Sequence, residues 1–307
     1  MTLLRSVANK LLMTEDDLLR FSLTMPRRYK TYYIFKRNGI DLRLIAHPSR
    51  ESKLIQRVVV DELQPILPIS KCATAYEKGT SIRLNALRHV NSRYILKMDC
   101  KNFFPSITPE LLFFVAEKNE IFISDMDRIF LENVLFYKST RRAKLRMSIG
   151  APSSPFISNF IMKNFDDAME KECFEKSITY TRYADDMTFT TSKKDTLFDM
   201  PKVVTALLNV HCNKKIRVNS EKTVFSSKRF NRHVTGIVLT NNNELSIGRA
   251  RKREIFSLMN SCKYNKLDGE QRKKLKGLIN FAQSIEHDFI SRLKKKYGDW
   301  YVDDAMR

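Results

Sequence analysis

An α+β fold is predicted for this 307-residue chain by three features of its sequence. Hydrophobic residues make up 43% and aromatic residues 10% of the chain, which supplies enough apolar surface for a buried core. Segments with helical periodicity alternate with short β-rich runs. No repeat or Pro/Gly/Ser-rich linker separates independent halves, so the length predicts two domains or contiguous subdomains.

The first hundred residues mix helical and β patterns. The opening 25 residues and the stretch 49–66 both repeat apolar residues at helical spacing. Between them, two β-rich runs flank Asn38-Gly39, a dipeptide typical of a tight hairpin turn. A short apolar strand follows, and Asp99 lies at its end.

Helices and strands continue to alternate along the rest of the chain. A tight turn at Ala184-Asp185-Asp186 separates two short strands. We expect helices over 109–136, 154–173 and 201–212, β structure over 178–191 and 216–240, and a helical, basic final fifty residues.

The charge of the chain is strongly positive. Fifty-five Lys and Arg against 34 Asp and Glu leave a formal charge of +21. An imbalance of this size favours a polyanionic partner such as a nucleic acid. A basic protein with no nucleic acid partner is the alternative on charge alone.

Cysteine usage and hydropathy indicate the compartment. The five cysteines are scattered and form no C-x-x-C or zinc-spaced cluster, as expected of reduced thiols in a cytosolic protein. Apolar stretches are far shorter than the roughly 18 residues that span a bilayer, and charges interrupt the N-terminal segment before a signal-peptide core forms. We therefore expect a cytoplasmic protein with no membrane partner.

Two predicted strands end in acidic residues that are candidate metal ligands. Asp99 follows one apolar strand, and Asp185 and Asp186 follow another. Either acidic group alone is typical of a solvated turn. Adjacent strands that aim these carboxylates at one point would bind hard divalent cations, Mg²⁺ above all. Two such ions about 4 Å apart activate a hydroxyl and stabilise a leaving phosphate oxygen.

These two segments resemble those of a reverse transcriptase. Tyr183-Ala184-Asp185-Asp186 matches its Y-x-D-D box, and the run from Asp99 to Phe104 matches its D-x-x-x-F-F strand end. The resemblance covers roughly residues 30 to 240. It implies a right-hand polymerase in which Asp99, Asp185 and Asp186 are the catalytic, metal-binding triad. The cofactor implied is two Mg²⁺ ions, with Mn²⁺ as an alternative.

The resemblance also implies domain boundaries. Fingers with an N-terminal helix and a β-hairpin would span residues 1–90. The palm, an antiparallel sheet with helices, would span 91–240, with finger insertions around 105–150. A helical, basic thumb would span 241–307.

Four further residues resemble the dNTP-binding groups of the family. Phe104 matches the aromatic that excludes a ribose 2′-hydroxyl, although strand alternation assigns one of Phe103 and Phe104 to the core. Arg43 matches the arginine that grips the triphosphate, with Lys36 and Arg37 as weaker candidates.

The other two are a glycine and a lysine. Gly150 belongs to the match for the Q-G-x-x-x-S-P box, in which Ile149 replaces the expected glutamine and its contact with the sugar. Lys222 matches the lysine proposed to protonate pyrophosphate, and a phosphate-contacting or surface lysine is the alternative.

Two short boxes resemble those of bacterial retron enzymes. Asn85 to His89 match N-A-x-x-H, and Val234-Thr235-Gly236 match V-T-G. On a helix, Asn85 and His89 share one face and would contact an RNA backbone together. The alternative is that they brace neighbouring loops.

The basic C-terminal segment matches the thumb. Between Arg249 and Lys296 there are fourteen Lys or Arg and five Asp or Glu, while an apolar stripe recurs at helical spacing. We expect one face to pack and the other to meet RNA phosphates, with Lys273, Lys274 and Lys276 among the RNA-binding residues.

The resemblance implies an RNA-directed DNA polymerase of the retron type. Its partners would be dNTPs, its cognate noncoding RNA (msr-msd), the DNA product and an accessory effector protein in antiphage defence. It would prime from a guanosine 2′-hydroxyl and make branched, RNA-linked single-stranded DNA (msDNA). One alternative is another type of bacterial reverse transcriptase, although 307 residues leave no room for maturase or endonuclease extensions. The other alternative is a noncatalytic RNA-binding scaffold. The oligomeric state and the priming guanosine stay open.

Overall fold

The structure is a computed structural model that describes residues 2–36 and 39–307. It divides into two compact units, each made of three chain segments. The first unit contains residues 1–78, 97–187 and 198–223, and the second contains 79–96, 188–197 and 224–307. This division does not test the predicted fingers, palm and thumb boundaries, which stay predictions.

Helices dominate the described residues. The α-helices are α1 Leu3–Leu11, α2 Glu15–Ser22, α3 Arg50–Leu63, α4 Ile82–His89, α5 Phe103–Ser106, α6 Pro109–Lys118, α7 Asp125–Leu135, α8 Ser154–Ile161, α9 Lys163–Glu175, α10 Met200–His211, α11 Arg249–Lys263, α12 Gly269–Ile285, α13 Phe289–Tyr297 and α14 Asp299–Met306. Two short 3₁₀ helices span Met25–Arg27 and Ser220–Lys222.

The strands of residues 2–36 and 39–307 form three sheets. They are β1 Tyr29–Phe35, β2 Leu42–Pro48, β3 Tyr94–Lys101, β4 Thr179–Tyr183, β5 Asp186–Thr191, β6 Arg217–Val218, β7 Val224–Ser227, β8 Arg232–Val234, β9 Ile237–Leu239 and β10 Leu245–Ser246. The central sheet has the order β4-β5-β3-β6, and β7 also pairs with β3. A mixture of this kind confirms the predicted α+β class.

The first unit contains the predicted hairpin. Strands β1 and β2 are antiparallel, with Tyr29 opposite Pro48 and Phe35 opposite Leu42. Of the predicted turn, Asn38 lies outside the described residues and Gly39 has φ +70°, a conformation that favours glycine. The pairing confirms the hairpin that the sequence predicts.

The second unit has its own apolar core. Helix α4 and strands β8 and β9 contribute Ala86, Val234 and Ile237 to it. The predicted apolar stripe of the C-terminal segment is also buried there, as Leu275, Ile279, Ala282, Ile285, Phe289 and Leu293 are at most 3% exposed. One face of the basic segment therefore packs, as its periodicity predicts.

Two predicted helices are each broken into a pair. The stretch 109–136 forms α6 and α7, because Glu120 takes a left-handed φ of +57° after α6 and Ser124 caps the start of α7. The stretch 154–173 forms α8 and α9, with a break at Met162.

All five cysteines are free and buried. Among the described helices, none has the length and apolar character to cross a bilayer.

Candidate active site

Strand pairing in the first unit brings Asp99 and Asp185 together. Asp99 is the sixth residue of β3, and Asp185 lies in the turn between β4 and β5. Because β5 is the neighbour of β3, the N–H of Cys100 donates to the carbonyl oxygen of Asp185 at 3.2 Å. The structure thus joins the two acidic segments that the sequence singles out.

The carboxylates are crowded. Asp99 is 8% exposed, Asp185 is half-buried and Asp186 is exposed. Burial, followed by the charge of Asp99, raises the pKa of Asp185. Although Asp186 is exposed by surface area, partial loss of hydration, followed by repulsion from Asp185 and Asp99, raises the pKa of Asp186 to about 6. Negative charge at this point is therefore incompletely compensated.

Lys222 pairs with one of these carboxylates. Its Nζ lies 2.9 Å from Oδ2 of Asp99. The preceding backbone fixes this approach, since the N–H of Asn219 donates to the carbonyl of Asp99 at 2.7 Å. Partial burial lowers the pKa of Lys222, but the hydrogen bond to Asp99 and the nearby carboxylates outweigh it, so that the pKa is raised. Lys222 is therefore a protonated group beside the triad.

The donor set fits a divalent cation. Within residues 2–36 and 39–307, no three His, Cys, Asp or Glu side chains already form a metal-ligand cluster. Asp99, Asp185 and Asp186 nonetheless offer only carboxylate oxygens, the ligands that Mg²⁺ prefers. Burial first, and then repulsion between the carboxylates, raises the pKa values of Asp185 and Asp186, and a bound cation would compensate their negative charge.

A cavity of about 290 Å³ in the same unit contains two predicted nucleotide-binding residues. Phe104 and Gly150 both line it, together with Tyr76. Gly150 has φ +123°, and a Cβ there would lie 3.2 Å from the carbonyl oxygen of Ala46. The box that contains Gly150 can therefore lie this close to β2 only with glycine at this position.

The two phenylalanines do not follow strand alternation. Asn102 takes a left-handed φ of +49° and ends the strand, so Phe103 and Phe104 lie on the short helix α5. Their ring centroids are 5.3 Å apart. Phe103 is 3% exposed and Phe104 lines the cavity. The expected division into one core and one pocket ring is observed, but the reason given from alternation was wrong.

The hairpin arginine lies near the acidic turn. Arg43 is opposite Ile34 in the hairpin and is exposed. The pKa of Asp185 is raised by burial and by the charge of Asp99, and the charge of Arg43 partly offsets this by lowering the pKa of Asp185. Lys36 pairs with Asp41 at 3.5 Å instead, and Arg37 lies outside the described residues. Of the described residues of the hairpin, Arg43 is a cation whose charge acts on Asp185.

Sequence comparison identifies the family. Residues 34–247 match the family described as reverse transcriptase (RNA-dependent DNA polymerase). The chain is 47% identical to the retron Ec83 reverse transcriptase of Escherichia coli over 88% of this chain and 87% of that protein. The chain is a bacterial retron reverse transcriptase. This RNA-directed DNA polymerase has the α+β fold of right-hand polymerases, and its family generally uses divalent metal ions.

Further similarities are lower. The retron Ec86 reverse transcriptase of Escherichia coli is 30% identical over 88% of this chain and 83% of that protein. Among solved structures, telomerase from Candida albicans with a fragment of telomeric RNA has a TM-score of 0.49 and 13% identity, over 91% of this chain and 60% of that chain.

The two retron boxes lie in the second unit of this reverse transcriptase. On α4, Asn85 and His89 are 1% and 0% exposed, and Nδ1 of His89 lies 2.8 Å from Oγ1 of Thr190. Burial lowers the pKa of His89 to about 3. Both side chains are buried, which speaks against the predicted RNA contact, and Thr190, the partner of His89, lies on strand β5 rather than in a loop. In the V-T-G box, Arg251 donates to the carbonyl of Gly236 at 2.7 Å.

The three candidate lysines of the thumb differ in their surroundings. Lys273 is exposed on α12. Lys274 pairs with Glu254 at 2.7 Å, and Lys276 donates to the carbonyl of Arg307 at 2.7 Å. Lys273 and Lys274 are both exposed, Lys276 is half-buried, and the contacts of Lys274 and Lys276 also hold parts of the second unit together.

The structure adds site residues that sequence patterns missed. His47, Lys53 and Arg57 line the cavity, and the spacing of the two cations by four on α3 is a signal that a helix would present them together. Tyr76 lines it with φ +68°, which is rare for a bulky residue and has no local sequence signal. Arg182 lies under the acidic turn and is fully buried.

Proposed function

We propose that this reverse transcriptase synthesises DNA at Asp99, Asp185 and Asp186. The observation that supports the proposal is the pairing of β3 with β5, which brings two acidic segments to one point of the first unit. The three carboxylates would hold two Mg²⁺ ions, or Mn²⁺ in their place. When bound, such ions lower the pKa of the attacking 3′-hydroxyl and stabilise the leaving pyrophosphate.

The chain's own residues would select and orient the nucleotide. Phe104 lines the cavity and would exclude a ribose 2′-hydroxyl by bulk. The planar guanidinium of Arg43 suits triphosphate oxygens, and the Gly150 backbone lets the base pair approach closely. Lys222, protonated beside Asp99, would donate a proton to the departing pyrophosphate.

We further propose a retron-specific substrate. Supported by the retron relatives, the chain would copy part of its own noncoding RNA from a guanosine 2′-hydroxyl into branched msDNA. It would act in the cytoplasm with an accessory effector in antiphage defence. Residues 1–90, 91–240 and 241–307 would be fingers, palm and thumb.

Primer extension by Asp185→Asn tests the catalytic assignment. The amide keeps the shape of the side chain but loses the charge that holds a cation, so we expect extension to fall at least about 1,000-fold, or about 4 kcal/mol. RNA binding should persist. Asp195→Asn is the matched control, because Asp195 has φ +63° in an exposed loop and Asn tolerates that conformation. Extension by Asp185→Asn within about tenfold of wild type would contradict the catalytic assignment of Asp185.

A second assay tests the retron substrate. The purified protein is incubated with its cognate noncoding RNA and dNTPs, with no added primer. We expect labelled DNA that stays attached to RNA on a denaturing gel and is released by ribonuclease. DNA that migrates freely before ribonuclease treatment would contradict priming from an internal 2′-hydroxyl.

A further inference from the structure

Arg182 is a fully buried arginine beneath the candidate site. Its Nε and Nη2 donate to the carboxylate of Asp166, the shortest of these distances being 2.6 Å. Asp166 is also fully buried, and Tyr180 donates to it at 2.8 Å. Such a buried pair is weak grounds for added stability, because desolvation offsets much of the attraction. A gain in stability therefore does not explain why Arg182 and Asp166 form a buried pair at this position.

The remaining nitrogen of Arg182 holds the acidic turn, residues 184–186. Nη1 donates to the carbonyl oxygen of Ala184 at 2.8 Å. Ala184 is buried and has φ +57°, a left-handed conformation that is costly for alanine and persists only where its surroundings enforce it. This hydrogen bond fixes the peptide that immediately precedes Asp185.

The same guanidinium is joined to a second wall of the site, the strap, residues 72–77. Nη1 of Arg182 also donates to Oδ1 of Asn159 at 3.2 Å. The amide nitrogen of Asn159 donates to the carbonyl of Ala75 and to Oε1 of Glu77, both at 2.9 Å. Between these two anchored residues, Tyr76 lines the nucleotide cavity with its unusual positive φ.

We propose that Arg182 is a positioning residue that sets the acidic turn through Ala184, and that Asn159 extends the same network to the strap and to Tyr76. One buried cation thus fixes both the carboxylates and one wall of the nucleotide cavity. Asp166 orients the guanidinium by accepting from its other two nitrogens. The inference rests on the proposed role of Asp185 and Asp186 as cation ligands.

Arg182→Lys tests the link to the turn. Lysine keeps the charge beside Asp166, but its single nitrogen cannot also reach Ala184 and Asn159 in the planar arrangement of a guanidinium. We expect kcat for primer extension to fall at least about tenfold, since small misplacements of catalytic groups have large effects. Mn²⁺ binding is measured by electron paramagnetic resonance of the free ion, and binding that remains in Asp185→Asn is subtracted as background. We expect the affinity of Arg182→Lys for Mn²⁺ to fall at least about fivefold.

Tyr180→Phe is the matched control. It removes a buried hydrogen bond to the same carboxylate and leaves the bonds of Arg182 to Ala184 and Asn159 in place. We expect its melting temperature to fall while kcat and Mn²⁺ binding stay within about twofold of wild type. Equal losses of kcat in Tyr180→Phe and Arg182→Lys, or wild-type behaviour of Arg182→Lys, would overturn the proposal.

Asn159→Asp tests the strap separately. The change keeps Oδ1 as an acceptor for Arg182 but replaces the donor to Ala75 and Glu77 by a second oxygen. We expect KM for dNTP to rise at least about fivefold while Mn²⁺ binding stays unchanged. An unchanged KM in a folded variant would remove Asn159 and the strap from the network.

A neutral double variant covers the case in which Arg182→Lys does not fold. Asp166→Asn with Arg182→Met removes both charges, leaves no buried unpaired ion and keeps an acceptor for Tyr180. The proposal expects a folded protein with the same losses of kcat and Mn²⁺ binding, and wild-type kinetics would overturn it. Wild-type extension by Asp185→Asn would instead refute the proposed function, whatever the Arg182 variants do.

Discussion

The N–H of Cys100 donates to the carbonyl oxygen of Asp185, and this 3.2 Å hydrogen bond links the residue after Asp99 to the acidic turn. The two acidic segments are 86 positions apart in sequence and are joined by strand pairing. Because the link is made by backbone, the sheet sets the separation of the two backbone segments that carry the carboxylates. Rigid placement of this kind is what a site for charged phosphates requires.

Phe104→Ala should admit ribonucleotides. Phe104 lines the cavity of about 290 Å³, and its truncation removes the bulk that would meet a 2′-hydroxyl. We expect discrimination between dNTP and rNTP in single-turnover extension to fall at least about tenfold. Phe103→Ala is the control: it removes a core ring, so it should lower the melting temperature and leave the discrimination unchanged. A loss of discrimination in Phe103→Ala alone would reverse the two assignments.

Gly150→Ala should impair nucleotide binding. The new Cβ would meet the carbonyl oxygen of Ala46 at 3.2 Å and a side-chain carbon of Ile45 at 3.3 Å, at a φ that suits only glycine. We expect a destabilisation of about 1–3 kcal/mol and a higher KM for dNTP. Gly277→Ala is the matched control, since Gly277 lies inside α12 with nothing within 4 Å of an added Cβ. It should stabilise the protein by about 0.5–1 kcal/mol.

Local sequence patterns predicted much of the fold but less of the site. The hairpin and the two acidic strand ends depend on neighbouring residues, so they could be predicted. The break between α6 and α7 depends on a single left-handed residue, Glu120, which periodicity does not show. The sequence gives no sign that Arg182 differs from any other strand residue. Its partners Asp166 and Asn159 are 16 and 23 positions away and contact it only in the folded state.

The burial of His89 should make stability pH-dependent. Burial lowers the pKa of His89 to about 3 in the folded state, against about 6.5 in the unfolded chain. The unfolded state therefore takes up the proton first, so this contribution is complete above pH 6.5 and is lost as the pH falls toward 3. Between pH 7 and pH 5 we expect a loss of about 2 kcal/mol in the free energy of unfolding.

His89→Asn provides the control for this pH dependence. Its amide is neutral at both pH values and places a polar group near the position of Nδ1, which faces Thr190. Urea unfolding of both proteins at pH 7 and pH 5 gives the comparison. A wild-type loss no larger than that of His89→Asn would show that His89 does not cause the pH dependence.

Neutralising the thumb lysines separates RNA recognition from catalysis. In the triple variant Lys273→Gln, Lys274→Gln and Lys276→Gln, fewer counterions would be released on RNA binding. We expect the slope of log affinity against log salt to become shallower by up to about 3, one for each phosphate that a lysine no longer neutralises. Glutamine avoids the repulsion from Glu254 that a charge reversal at Lys274 would introduce.

Two reactions on this variant decide what the basic surface does. Extension of an external primer at saturating nucleic acid should survive, because Asp99, Asp185 and Asp186 belong to the other unit. Synthesis primed by the cognate RNA itself should fall much further, since it depends on holding one hydroxyl in place. The control neutralises Lys171, Lys202 and Lys214, three exposed lysines of the first unit, and changes the net charge equally. Equal losses in both reactions, or the same losses in the control, would mean that the thumb lysines supply only nonspecific charge.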